Sequence, residues 1–190
     1  MPLQNRTRWV VWYNHAMLSR NDETICALAT PAGAGGIGVI RVSGPSAFEI
    51  ADAITRQRHG RRCREYQGFT LHRADVIAPT GEVIDDVLIS VFHAPRSYTG
   101  EDVVEISGHG GPIPLRRILQ RLLESGARLA APGEFTQRAF LNGKMDLAQA
   151  ESVGDAIAAQ TEEAHQLAQR QGEGTLSRAI AQLRELALGI

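Results

Sequence analysis

The chain has 190 residues, 43% of them hydrophobic and 22% charged, with a formal net charge of -1. That length suits one domain, or one domain and part of another, while the near-neutral balance argues against a dedicated nucleic-acid-binding domain, whose basic excess displaces counterions. No apolar run approaches the roughly 20 residues of a membrane-spanning helix, and two cysteines, Cys26 and Cys63, form neither a disulfide framework nor a C-x-x-C pair, which predicts a reducing, cytoplasmic compartment.

Residues 1–20 hold both tryptophans and no acid. They read as an extension outside the fold, as if the start codon were chosen upstream of Met17. From Thr24 to Thr30 the run TICALAT predicts a strand, and GVIRV, from Gly38 to Val42, predicts a second. Between them, Gly33, Gly35 and Gly38 match the G-x-G-x-x-G dinucleotide fingerprint, which requires a helix after its third glycine. Here β-branched residues follow and Ser-Gly-Pro stops the run, so a strand is expected. A P-loop fails too, because Val39 and Ile40 occupy its Lys and Ser/Thr positions. The glycines are therefore expected to bend the chain and admit a close neighbour. Alternation places Arg41 on the face opposite Ile40 and Val42, either exposed or against an anion.

Pro45 suits a first helical position, with Ser43 or Gly44 as cap, and Ala47, Phe48, Ala51 and Ile54 form an apolar helical stripe. The helix should end before RQRHGRRCREY, a polar loop whose arginines read first as solvated surface. Cys63 within it is a candidate for a lowered pKa. FTLHRADVIA (Phe69 to Ala78) and EVIDDVLISVFH (Glu82 to His93) predict a hairpin turning at Pro79 to Gly81. VVEIS (Val103 to Ser107) predicts another strand, GHGG a second glycine loop in which His109 is a structural residue, and PIPLRRILQRLLES a helix stopped by Gly126. The expected class is α+β, a mixed or antiparallel sheet with packed helices, over residues 21–142.

Residues 143–190 are Ala-, Leu- and Gln-rich. Asp146 and Gln149 have capping-box spacing, and Gly154, Gly172 and Gly174 are potential interruptions. This part reads as the start of an all-helical domain that stops before its partner helices. Its bare apolar side predicts self-association. The six histidines are not paired at ligand spacing, so no zinc site is expected.

Three stretches are too particular to be generic: TPAGAGGIGVIRVSGP, RSYTGEDVVEISGHGGP and PGEFTQRAFLNGKMDLAQAE. Together they closely resemble, over about Asp22 to Leu188, the N-terminal region of the tRNA-modification GTPases of the MnmE/TrmE family. The resemblance implies a tetrahydrofolate-binding, aminomethyltransferase-like domain that dimerises, then an all-helical domain carrying an inserted potassium-activated GTPase. It also implies modification of carbon 5 of the wobble uridine in tRNA, in the carboxymethylaminomethyl pathway, with an FAD-containing MnmG/GidA-type partner and no membrane.

Carried over by motif, the folate-contacting positions are Arg41, Glu105 and Lys144, the ligand being 5-formyl- or 5,10-methylene-tetrahydrofolate. A carboxylate such as Glu105 accepts both the ring N–H and the amino group of a pterin, while Arg41 and Lys144, the only lysine, supply donors for carbonyl or carboxylate groups. Lys144 near a helix start would oppose the macrodipole unless a ligand or carboxylate meets it. Ala34 stands where the family often has Arg. No G-x-x-x-x-G-K-[ST] and no terminal Cys-x-Gly-Lys occurs, so GTP, Mg²⁺ and K⁺ belong to a domain outside this chain. No catalytic residue or metal ligand is assigned. A ligand-free dimerisation scaffold and a stand-alone folate-dependent aminomethyltransferase are the rival readings.

Overall fold

The computed structural model describes residues 22–31, 33–57, 60–174, 180 and 182–186. The proposed extension, residues 1–20, lies outside the described residues. Seven strands form one mixed sheet: β1 (Ile25–Leu28), β2 (Ile37–Ser43), β3 (Thr55–Gln57), β4 (Thr70–Ile77), β5 (Val83–Phe92), β6 (Val103–His109) and β7 (Arg128–Leu129). Their order is β3-β4-β5-β6-β2-β1-β7. All neighbours are antiparallel except β1 and β7, which run parallel. The α+β class expected from the sequence is therefore observed.

Alternation along the strands decides which face is buried. Ile40 and Val42 of β2, Val104 and Ile106 of β6, and Ile89 and Val91 of β5 are withdrawn from solvent on one face. Helix α1 (Ala47–Ile54) lays Phe48, Ala51 and Ile54 on that face, and α2 (Pro112–Glu124) adds Leu115, Ile118 and Leu122. Each fully buried Ile, Leu or Phe contributes about 1.5–3 kcal/mol relative to exposure, so this layer is the principal hydrophobic core.

The ends of α1 correct one expectation. Its N-cap is Ser46, and no side chain caps it there. Ser46 N–H donates instead to Thr24 Oγ1 at 2.9 Å, and Ser43 is drawn away to another partner. Thr55–Gln57 pair with β4 as a short edge strand, although Arg56 and Gln57 were expected in a loop, and Cys63–Glu65 form a 3₁₀ turn. The β4–β5 hairpin closes as expected, with Gly81 at φ +87° and Ala78 N–H donating to Glu82 O at 2.8 Å. Gly126, at φ +104°, ends α2 while Ala127 N–H returns to Leu122 O at 3.1 Å.

Beyond β7 come α3 (Glu134–Leu141), α4 (Leu147–Ala158) and α5 (Glu162–Gly172). The capping box at the start of α4 forms as the spacing predicts, Asp146 Oδ1 accepting from Gln149 N–H and Gln149 Oε1 from Asp146 N–H, both at 2.9 Å. Gly154 passes unbroken through α4, whereas Gly172 is the last residue of α5.

Candidate functional site

The register of β2 against β6 sets Arg41 directly opposite Glu105. Both point away from the helix-covered face because their neighbours Ile40, Val42, Val104 and Ile106 fill it. Arg41 therefore meets an anion from its own chain: Nε donates to Glu105 Oε1 at 2.8 Å, and Nη2 lies 2.7 Å from the same oxygen. The two side chains are 24% and 25% exposed. The guanidinium carbon lies 5.0 Å from the ring centroid of Tyr98 and 5.5 Å from that of Phe135. Each such cation–π contact is worth about 0.5–2 kcal/mol, more where water is excluded.

Tyr98 and Phe135 reach the pair from different segments. Tyr98 lies in the loop between β5 and β6, where the Ala94–Pro95 peptide is cis. That loop is pinned to the sheet by Thr99 Oγ1 on Ser43 Oγ (2.7 Å) and Ser43 Oγ donating to Glu101 Oε2 (2.7 Å), and it is closed on itself by Ala94 N–H donating to Asp102 Oδ1 (2.9 Å). It is also pinned to α3: Tyr98 OH contacts Thr136 Oγ1 at 2.8 Å, and Asn142 Nδ2 donates to Thr99 O at 2.8 Å.

Beneath these contacts runs an ionic frame. Arg138 of α3 donates to Glu101 at 3.1 Å, to Glu134 at 3.1 Å and to the Glu23 carbonyl at 2.8 Å. Arg128 contacts both oxygens of Glu134, at 2.6 and 3.0 Å. Arg138 and Glu134 are 3% and 4% exposed. Burial by itself raises the Glu134 pKa, but the hydrogen bonds from Arg128 and the Ala131 N–H outweigh it and hold the carboxyl below its ordinary value. Sequence reasoning missed Arg138, Glu101, Tyr98 and Phe135. All four sit in the distinctive stretches RSYTGED and PGEFTQRAF, which was their only signal.

Lys144 occupies a different place from the helix start expected for it. Its N–H closes α3 by donating to Ala139 O at 2.9 Å, after Gly143 at φ +68°, so its charge lies at a helix C-terminus, where the macrodipole favours it. Its Nζ donates to Pro95 O at 3.0 Å. The structure thus brings Arg41 and Glu105 together, and sets Lys144 on the loop that carries Tyr98 rather than on Glu105.

The two glycine loops answer what approaches them. A Cβ on Gly110 would lie 2.5 Å from Gly35 O, and Gly35 N–H donates to Gly110 O at 3.0 Å, so each loop is the other's close neighbour. Beside them, Asp85 is buried under Gly108 and accepts from His109 N–H (2.8 Å), from Asp86 N–H (3.0 Å) and, at 2.6 Å, pairs with His109 Nδ1. That hydrogen bond, and then the Asp85 charge, raise the exposed His109 imidazole above its ordinary pKa.

The lowered pKa suggested for Cys63 is overturned. Burial first, then Asp52, push its thiol far up, and the neighbouring arginines face other carboxylates: Arg64 bonds Glu49 at 2.6 Å and Arg56 bonds Asp75 at 3.2 Å. Two surface hollows are lined by neither Arg41 nor Glu105. One of about 470 Å³ separates α4 from α5 around Ala158 and Leu167; another of about 440 Å³ opens by Glu23, Ser46 and Glu49. Among the described residues no cluster of three His, Cys, Asp or Glu is arranged to hold a metal, and no helix is long and apolar enough to cross a membrane.

A family model described as the GTP-binding protein TrmE N-terminus matches residues 24–144. Relatives are similar over most of the chain. The tRNA modification GTPase MnmE of Carboxydothermus hydrogenoformans is 48% identical over 170 residues, covering 89% of this chain and 37% of that protein. Its namesakes in Symbiobacterium thermophilum and Clostridioides difficile are 49% and 48% identical over 164 residues, each match covering 86% of this chain and 36% of the relative. The chain thus spans a little over a third of the length of these relatives. With the family match covering the strands, loops and helix that build the Arg41–Glu105 site, the chain belongs to the MnmE/TrmE family, as a counterpart of its N-terminal region.

Proposed function

We propose that this chain is the folate-binding, dimer-forming N-terminal portion of a tRNA modification GTPase, serving carbon 5 of the wobble uridine together with an FAD-containing MnmG/GidA-type partner. Its ligand is a one-carbon tetrahydrofolate, 5-formyl or 5,10-methylene, and its fold is of the tetrahydrofolate-binding, aminomethyltransferase-like kind. The observation that carries the reading is Glu105, a carboxylate only a quarter exposed, set on a sheet face beside two aromatic rings and a guanidinium. That donor set fits a flat heterocycle with adjacent N–H groups at one end and carbonyl or carboxylate acceptors at the other. Glu105 accepts from the heterocycle; Arg41 and Lys144 serve the acceptors; Tyr98 and Phe135 shield the site from water. When bound, the folate supplies the one-carbon unit, and this chain holds and orients it.

The test is calorimetric titration of the chain with 5-formyltetrahydrofolate before and after Glu105→Ala. Saturable heat in the parent chain and its loss in the variant are expected; equal heats in both remove Glu105 from the site.

Dimerisation is supported by the sheet face opposite the core, where Leu71 and Leu88 are exposed and Phe69 packs edge-on against Phe92 at 5.4 Å. A scaffold without ligand would use this same face. Sedimentation distinguishes the two readings when run beside the titration, because the scaffold predicts a dimer with no folate heat.

A further inference from the structure

The arginines between β3 and β4 read as solvated surface in the sequence, yet the structure sorts the side chains of this segment more narrowly. Cys63 and Tyr66 are buried, while Arg61, Arg62 and Arg64 are exposed. The backbone that carries them is fixed. Cys63 N–H donates to Asp52 Oδ1 of α1 at 2.9 Å, Arg62 N–H to Glu65 Oε2 at 2.9 Å, and Tyr66 N–H to Cys63 O at 3.2 Å. Gln57 Nε2 of β3 reaches the same Asp52 oxygen at 3.1 Å, so one carboxylate ties helix, edge strand and turn together.

That construction engages the neighbouring carboxylates. Asp52 is held by Cys63 N–H and Gln57, Glu65 by the Arg62 backbone, and Glu49 pairs with Arg64. Arg61 and Arg62 are left without a carboxylate partner among the described residues. Arg64 and Glu49 are both more than half exposed, so their pair contributes little and opens readily to a stronger anion. Resting on the tRNA-modification reading above, we infer that the turn bearing Arg61, Arg62 and Arg64 grips the sugar-phosphate backbone of a folded RNA.

The side chains suit phosphate. Each guanidinium presents a planar fork of N–H donors that matches two phosphate oxygens, which the point charge of a lysine does not. A turn bolted to the core sets the forks in place beforehand, so less loop entropy is lost on binding. The near-neutral chain is compatible with this, because its net charge excludes a broadly basic domain and not three outward cations on one turn. Strand β3, which leads into the turn, is three strands from β6, about 14 Å at the usual spacing, so one RNA can touch the turn and still reach the Arg41–Glu105 face. Such a grip reads no bases; it fixes where the RNA lies.

The experiment titrates the whole chain into a fluorescein-labelled tRNA transcript and follows anisotropy from about 50 to about 200 mM salt. Arg61→Gln combined with Arg62→Gln should weaken binding about fivefold or more at the lowest salt, and flatten the plot of log K against log salt by about 1.5, as the loss of two phosphate contacts requires. The corresponding double change to lysine keeps both charges, so it should retain most of the slope while losing about twofold or more in affinity. Arg116→Gln, at an exposed arginine of α2, should change neither quantity. Poly-aspartate should compete at least about tenfold less well than unlabelled RNA of equal charge. An unchanged slope in the double glutamine variant, or an equal loss in Arg116→Gln, overturns the grip while leaving the tRNA reading intact. Equal competition by poly-aspartate overturns the RNA assignment and gives the turn to an acidic protein. No binding by the parent chain at the lowest salt overturns the grip and removes RNA contact from this portion altogether.

Discussion

Arg138 holds Glu101 and Glu134 at once, at 3.1 Å each, and so ties the loop before β6 to helix α3 through one buried guanidinium. Removing it leaves Glu101 without its cation, and Glu134 with Arg128 alone, in a site that water barely reaches. Arg138→Leu should lower stability by about 3–5 kcal/mol, the usual cost of breaking a buried pair. Urea unfolding followed by circular dichroism measures it, and a loss below about 1 kcal/mol would show that water or side-chain movement compensates.

Gly110 cannot accept a side chain, because its Cβ would meet the backbone carbonyl of Gly35, which has no rotamer with which to retreat. Gly110→Ala should cost about 2 kcal/mol or more by overpacking. Gly36→Ala, where nothing lies within 4 Å of the added methyl, should be nearly neutral. Thermal melts compare the two; similar midpoints would mean that the loops slide apart freely.

The His109–Asp85 pair predicts a direction in pH. Asp85 raises the His109 pKa, so the folded chain binds that proton more tightly than the unfolded chain does. The stabilisation is fully present below about pH 6.5, the unfolded value, and fades as pH rises through the higher folded value. The melting-temperature gap between the parent chain and His109→Gln should therefore be widest at mildly acidic pH and narrow towards alkaline pH. A gap that widens with pH would contradict it.

Both thiols should be silent in the native state. Burial pushes Cys26 up to about 11, and Cys63 is raised further by burial and by Asp52. At about pH 8 a disulfide reagent that titrates ordinary thiolates should find neither cysteine until guanidinium chloride unfolds the chain. Rapid reaction of one equivalent under native conditions would show that the Cys63 turn opens.

Much of this architecture was legible in the residues. Alternation in GVIRV and VVEIS identifies β2 and β6 and places Arg41 and Glu105 on the face away from the apolar residues, and Asp146 with Gln149 announces α4. The two- and three-residue strands β7 and β3 carry no periodicity to detect. Helix α3 escaped because its outstanding side chains, Glu134 and Arg138, are buried charges, whereas an amphipathic pattern reads charge as solvent-facing. Tyr98 and Phe135 gave no chemical signal, since an aromatic residue becomes part of a site only through the cation it covers. Lys144 misled because it precedes α4 in sequence yet belongs, by its hydrogen bond, to the end of α3.

Arg41 and Glu105 lie 64 positions apart, and Arg138 reaches a carbonyl 115 positions upstream. Contacts of such separation must bear the entropy of closing long loops before they return any energy. As the chain emerges from the ribosome, the central pairing of β2 with β6 must wait for the β4–β5 hairpin to be made, and the charged frame waits longer still, for α3. The surroundings of the Arg41–Glu105 pair are thus among the last features to be completed, and polypeptides ending before residue 138 should hold the strands without the ionic frame.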